Sequence, residues 1–185
     1  MRPVIAGIVG GIAMFVWTSV AHVALPLGQI GISQIPNERL VLGAMQKSIG
    51  TTAGLYIFPG VDMKSSDAMA QAEARMKVNP SGILVYRPPG AAGMTARTLT
   101  IEFVKEAVVS LIAAFLLAQT VLLSYWARTG FVGLVGLAAG LTTNISYWNW
   151  YGFPGDYTIA YAAIDIIGYI VAGLVIAAIL KLRAT

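Results

Sequence analysis

The chain of 185 residues has no cysteine, a single histidine and only 11% charged residues. Without cysteine there is no disulfide, thiolate nucleophile, iron–sulfur cluster or thiolate-bound metal. One histidine, His22, removes bis-histidine haem ligation and any site built from several imidazoles. Soluble domains carry about 25% charged and about 45–50% apolar residues. Here 57% are hydrophobic and the mean hydropathy is +0.76. An ordinary soluble globule, a disordered chain and a collagen-like chain are excluded together. No GxSxG, HExxH, Walker A, GxGxxG or EF-hand pattern occurs, so no standard catalytic motif supports an enzyme and no cofactor is expected.

A net charge of +4 and a pI near 9.5 raise nucleic acid as a partner. The basic residues are scattered, with no block of like charge and no interleaved aromatics, so no nucleic-acid contact is expected. They read instead as topology determinants.

What the chain has is four long apolar runs, residues 4–25, about 107–126, 131–150 and 157–180. Each approaches or exceeds the ~20 residues that cross a bilayer. The expected fold class is membrane all-α: four transmembrane helices with a small external α/β cap between helices 1 and 2. Its parts are helix 1 at 4–25, the cap at 26–98, helix 2 at 99–126 with a juxtamembrane start, helix 3 at 131–150 and helix 4 at 157–180. Ser19-Val20-Ala21 offers a small-x-small cleavage site, but the first run exceeds the ~7–15 residues of a signal-peptide core, so helix 1 is expected to be retained.

Orientation follows from Lys and Arg in the short segments. Arg2 precedes helix 1, Arg128 lies in the expected turn 127–130, and Lys181 and Arg183 follow helix 4, whereas the connection 149–156 carries no basic residue. Both termini are therefore expected in the cytoplasm and residues 26–98 outside. Within the cap, Asn37 and Ser65-Ser66-Asp67 read as helix caps, and Gly54–Phe58 and Ile83–Arg87 as strands. The strand pair could be parallel, with a crossover helix, or antiparallel. A two-stranded sheet is marginal alone, so the cap is expected to lean on the membrane helices or on a partner.

Polar residues in the apolar runs must find partners. His22 near the end of helix 1, Asn144 in helix 3, Asp165 in helix 4, and Glu102 with Glu106 at the start of helix 2 all fall toward the outer leaflet. Glu102, Lys105 and Glu106 read as a solvated juxtamembrane turn. His22 is either a hydrogen-bonded structural residue or an acid–base group. Asp165 lies about 12 Å into its helix at 1.5 Å per residue, in a stripe with Tyr157, Tyr161 and Tyr169 at spacing four. It is either a satisfied packing knot with those tyrosines and Asn144, or a carboxylate that carries charge for binding. The segment Tyr147–Tyr157, with Trp148, Asn149 and Trp150 near its start, is either an interfacial aromatic belt or an aromatic-walled cradle. Gly7 and Gly11, and Gly136 and Gly140, are small-xxx-small pairs that let helix backbones approach.

Three segments carry a resemblance: Gly10-Gly11-x-x-x-Phe15-x-Trp17-x-x-x-x-His22 with Leu25-Pro26, the stretch Gly54–Gly60, and Tyr147–Pro154. Together they resemble a family of bacterial four-helix inner-membrane proteins without an assigned activity. The resemblance implies a bacterial inner membrane; no cofactor or catalytic residue comes with it. The expected function is non-catalytic: an integral membrane accessory, assembly or ligand- or lipid-binding subunit with an outer-leaflet polar and aromatic site. Membrane lipids and a membrane-protein partner or second copy are the expected partners. The alternative is a membrane enzyme acting on lipid or isoprenoid headgroups at the periplasmic face, with Asp165, Glu102 or His22 as acid or base. A small oligomeric transporter is a third reading, disfavoured by four helices without an inverted repeat.

Overall fold

The computed structural model describes residues 1–180, and these are mostly helical. Lys181 and Arg183 lie outside the described residues. The elements are α1 (Arg2–Ser19), α2 (Glu38–Ile49), β1 (Gly54–Phe58), α3 (Ala68–Met76), β2 (Gly82–Tyr86), α4 (Ala96–Ala118), α5 (Tyr125–Tyr151) and α6 (Gly155–Ile179). Pro3 falls in the first turn of α1, where its missing N–H costs nothing. The helix continues as one π-helical turn, Val20–Ala24, closed by Leu25 N–H donating to Val20 O at 3.0 Å. With that turn α1 spans 23 residues; it, α5 (27) and α6 (25) are long and apolar enough to cross a membrane.

The expected second span is not borne out on composition. At 23 residues α4 is long enough, but Glu102, Lys105 and Glu106 lie within the stretch that would have to cross. It begins earlier than expected, at Ala96 behind the N-cap Thr95: the Thr95 hydroxyl accepts from Thr98 N–H (3.2 Å) and the Thr98 hydroxyl from Thr95 N–H (2.9 Å), a reciprocal cap. It also ends earlier. The apolar run to 126 breaks after Ala118, where the Gln119 and Thr120 amides donate to Leu116 O and Leu117 O (3.1 and 3.0 Å). The Thr120 hydroxyl adds a bond to Leu117 O at 2.8 Å. Such local side-chain bonds compete with the helix. The connection is therefore residues 119–124 rather than 127–130, and Arg128 and Thr129 are buried residues of α5.

Residues 33–93 form a compact unit of their own. The strands pair antiparallel, with Gly54 opposite Tyr86 and Phe58 opposite Gly82. Asn37 and Asp67 take the N-cap positions of α2 and α3 without side-chain caps. The Asp67 carboxylate accepts instead from the Ser65 hydroxyl and the Gln71 amide, which hold its pKa below the usual carboxylate value. Tyr86 donates to Gly50 O at 2.8 Å. Only Ala68 and Tyr86 are buried in this unit, while Leu55, Ile57 and Val85 share one face of the ribbon and are exposed.

The other unit comprises residues 1–32 and those from 94 onward. Within it α1 packs against α4 on one side and α6 on the other, and α6 packs in turn on α5. Small residues set these distances. A Cβ at Gly7 would lie 2.7 Å from Leu111 Cα, and one at Gly11 2.6 Å from Ala107 Cα, so α4 rests directly on the α1 backbone. Gly136 gives the same close approach to Tyr169 on α6. Ala6, Ala113, Leu117, Val132, Ala172 and Ile176 close the core between them.

Candidate functional site

All four long helices contribute to one partly open cavity of about 120 Å3. Its polar lining is Lys105 and Glu106 from α4, Thr143 from α5, and Asp165 and Tyr169 from α6; Met14, Val109 and Ala139 supply an apolar wall.

Glu106 is the decisive residue. It is 1% exposed, although it lies in the stretch expected as a solvated turn. The correction applies to Glu106 alone, because the Glu102 and Lys105 side chains remain about half exposed. The Glu106 Oε1 atom lies 3.1 Å from the Lys105 ammonium and 3.1 Å from the Thr18 hydroxyl. That hydroxyl is also 3.1 Å from Met14 O and has one proton to give. The Glu106 Oε2 atom is buried with no partner among the described residues. Lys105 also donates to Glu102 Oε1 at 2.8 Å, so one ammonium bridges an exposed and a buried carboxylate. Leaving a buried acceptor unpaired costs about 1–3 kcal/mol, more when it is charged.

On the opposite wall Asp165 accepts from Asn144 Nδ2 at 3.2 Å, and the same amide reaches Gly140 O at 3.0 Å. The expected association of Asp165 with Asn144 is present. The tyrosine stripe divides. Tyr169 lines the cavity beside Asp165, whereas Tyr157 and Tyr161 stack on each other with centroids 4.2 Å apart. Tyr161 donates to Gly28 O at 3.3 Å and meets the His22 ring edge-on at 5.8 Å.

His22 sits in the π turn, its Nδ1 2.9 Å from Thr18 O. Its ring lies against Gly28, where a Cβ would come within 2.2 Å of Cδ2. It is not among the residues lining the cavity. The aromatic segment also divides. Tyr147, Phe153 and Tyr157 form a chain of ring contacts at 5.3 and 5.4 Å, continuing to Tyr161 and His22. Trp148, Asn149 and Trp150 are exposed in the last turn of α5 and are not brought to the cavity.

Sequence reasoning passed over Glu106 as a site residue, and one signal could have found it. Glu106, Ser110, Ala113 and Leu117 recur at spacings of three and four, and all are buried. The acid continues a stripe of small and apolar residues that faces α1, and Gly11 lies against its backbone carbonyl.

Among the described residues no group of three His, Cys, Asp or Glu side chains is placed to hold a metal ion. The class this fold defines is a mostly helical chain with three helices suited to crossing a membrane and a small two-stranded sheet. Neither protein-family models, curated proteins nor solved structures give a match to the chain, and the reading of the site rests on its own geometry.

Proposed function

We propose that this chain is a non-catalytic subunit of the bacterial inner membrane, with four transmembrane helices and a cavity that binds a small ligand or a lipid headgroup. The observation that carries the binding reading is the unpartnered Oε2 of Glu106, buried in a residue that lines the same cavity as Asp165. Polar groups at membrane depth are costly and mark ligand or ion sites. A fourth span is supported by the uncharged run Ala107–Ala118 and by the packing of α4 along α1. Lys105, half exposed, has the long stem that lets an ammonium snorkel toward the interface. The exposed Trp148 and Trp150, and the apolar face formed by Leu55, Ile57 and Val85, supply surfaces for lipid, a membrane-protein partner or a second copy.

The binding test is Asp165→Asn, which keeps size and much of the hydrogen bonding while removing the charge. The variant is expected to elute like the wild type and keep its helical content yet lose the small molecules or lipids that co-purify with it in mild detergent, as read by mass spectrometry. An Asp165→Asn protein carrying the same molecules would sink the reading.

Both termini are proposed to be cytoplasmic and residues 26–98 periplasmic. Arg2 and Arg128 lie at the ends that this arrangement places inside, and residues 152–154 carry no basic side chain. The native chain has no cysteine, so labelling has a clean background. In spheroplasts, Ser66→Cys is expected to react with a membrane-impermeant maleimide and Val121→Cys to stay unlabelled until the membrane is permeabilised. Val121 suits the inner probe because it is 84% exposed in the 119–124 connection, whereas Thr129 is buried. Immediate labelling at Val121→Cys alone would invert the orientation.

A further inference from the structure

We propose that the cavity takes a primary ammonium group, R–CH2–NH3+, with Glu106 and Asp165 as its counter-charges; this rests on the binding reading above and names the ligand's chemistry. The charged and titratable groups around the cavity are Glu102, Lys105 and Glu106 on α4, and Asp165 and Tyr169 on α6, with His22 of α1 behind Tyr161. The lining itself holds two carboxylates, Glu106 and Asp165, against one ammonium, and Lys105 is already engaged by Glu106 at 3.1 Å and by the half-exposed Glu102 beside the cavity at 2.8 Å. An anion would add to an excess of negative charge; a cation balances it.

The lining selects among cations. An ammonium donates three hydrogen bonds. Glu106, Asp165 and Thr143 line the same space from three different helices and each carries acceptor oxygens, and the Oε2 atom of Glu106 has no partner among the described residues. The apolar wall of Met14, Val109 and Ala139 suits the attached methylenes. A volume of about 120 Å3 is more than a bare ion fills, since one water occupies about 30 Å3 in the liquid. A quaternary trimethylammonium has no N–H to offer these oxygens and is expected to bind poorly.

Two sources carry this chemistry, the headgroup of phosphatidylethanolamine and a free small amine, and the test separates them. In one arm, full-length protein in mild detergent is melted with ethanolamine hydrochloride, choline chloride, sodium chloride or sodium phosphate at equal ionic strength. In the other, protein from vesicles of equimolar phosphatidylethanolamine and phosphatidylcholine is examined by native mass spectrometry for retained lipid. A free-amine ligand raises Tm by about 5–10 °C with ethanolamine alone, at a hundredfold excess over Kd. A lipid ligand gives at least tenfold more phosphatidylethanolamine than phosphatidylcholine adducts. Either result supports the proposal if Glu106→Gln abolishes it, or if Asp165→Asn does so where Glu106→Gln fails to fold. Equal effects of ethanolamine and choline, or full binding in both variants, overturn it. A shift with sodium or phosphate alone that is lost in Asp165→Asn overturns the ammonium assignment but leaves a binding cavity standing. No shift and no retained lipid also overturns the assignment, and the co-purification test then judges the binding reading separately.

Discussion

Replacing Gly7 and Gly11 together with valine is expected to separate α1 from α4 and lower Tm by about 4–24 °C. The estimate follows from overpacking costs of about 1–3 kcal/mol per site and roughly 2–4 °C per kcal/mol for a chain of this size. Cβ atoms at these positions would stand 2.7 Å from Leu111 Cα and 2.6 Å from Ala107 Cα. Both obstacles are backbone, which no rotamer change relieves, so the helices must move apart. Site geometry should suffer with stability, because the 3.1 Å approach of Thr18 to Glu106 spans the same interface. Gly130→Ala in α5 is the matched control. Nothing lies within 4 Å of its Cβ position, and replacing glycine inside a helix contributes about 0.5–1 kcal/mol. Its Tm is expected to rise slightly. Thermal unfolding in one detergent checks both, and a double valine variant melting with the wild type would refute the close-packed interface.

Residues 33–93 expressed alone are expected to show no cooperative thermal transition. The fragment has two short helices and one antiparallel ribbon, and its buried residues are Ala68 and Tyr86. A chain of about 60 residues is marginal even with a full core, and an isolated ribbon is marginal at best. Ellipticity at 222 nm should drift with temperature rather than step, and the exposed Leu55, Ile57 and Val85 should drive association as concentration rises. A sharp, concentration-independent transition would establish an independent domain.

Much of the secondary structure was legible locally. Glu38–Ile49 and Gly54–Phe58 fall where Asn37, Gly50 and Pro59 punctuate the chain, and Pro154 and Gly155 start α6 within two residues of expectation. These are local signals: a proline's fixed φ and a glycine's freedom act within a turn of themselves. The break at Gln119–Ser124 was not legible in the same way. The run 107–126 is predominantly apolar, so hydropathy signals that two helices are joined near its end but does not fix where the first one stops. For the same reason Arg128 was expected in a turn and is a buried residue of α5.

The site divides along the same line. Sequence alone determined that Asp165 and Asn144 stand in long apolar helices, where a polar side chain must find a partner, and they find each other at 3.2 Å. It also determined that no thiolate or multi-histidine chemistry is open to this chain, since composition needs no fold to exclude it. Only the tertiary structure decided which carboxylate of α4 is buried. Glu102 and Glu106 are four residues apart and chemically alike, yet one is half exposed and the other 1% exposed. The difference arises because Gly11 lets α1 close over Glu106, and that cover depends on how two helices distant in sequence are rotated and spaced. Tertiary structure likewise drew Tyr161 and His22 to Gly28 and left Trp148 and Trp150 exposed. Residue type sets whether a side chain needs a partner, while the packing of α1, α4, α5 and α6 sets which partner is within reach.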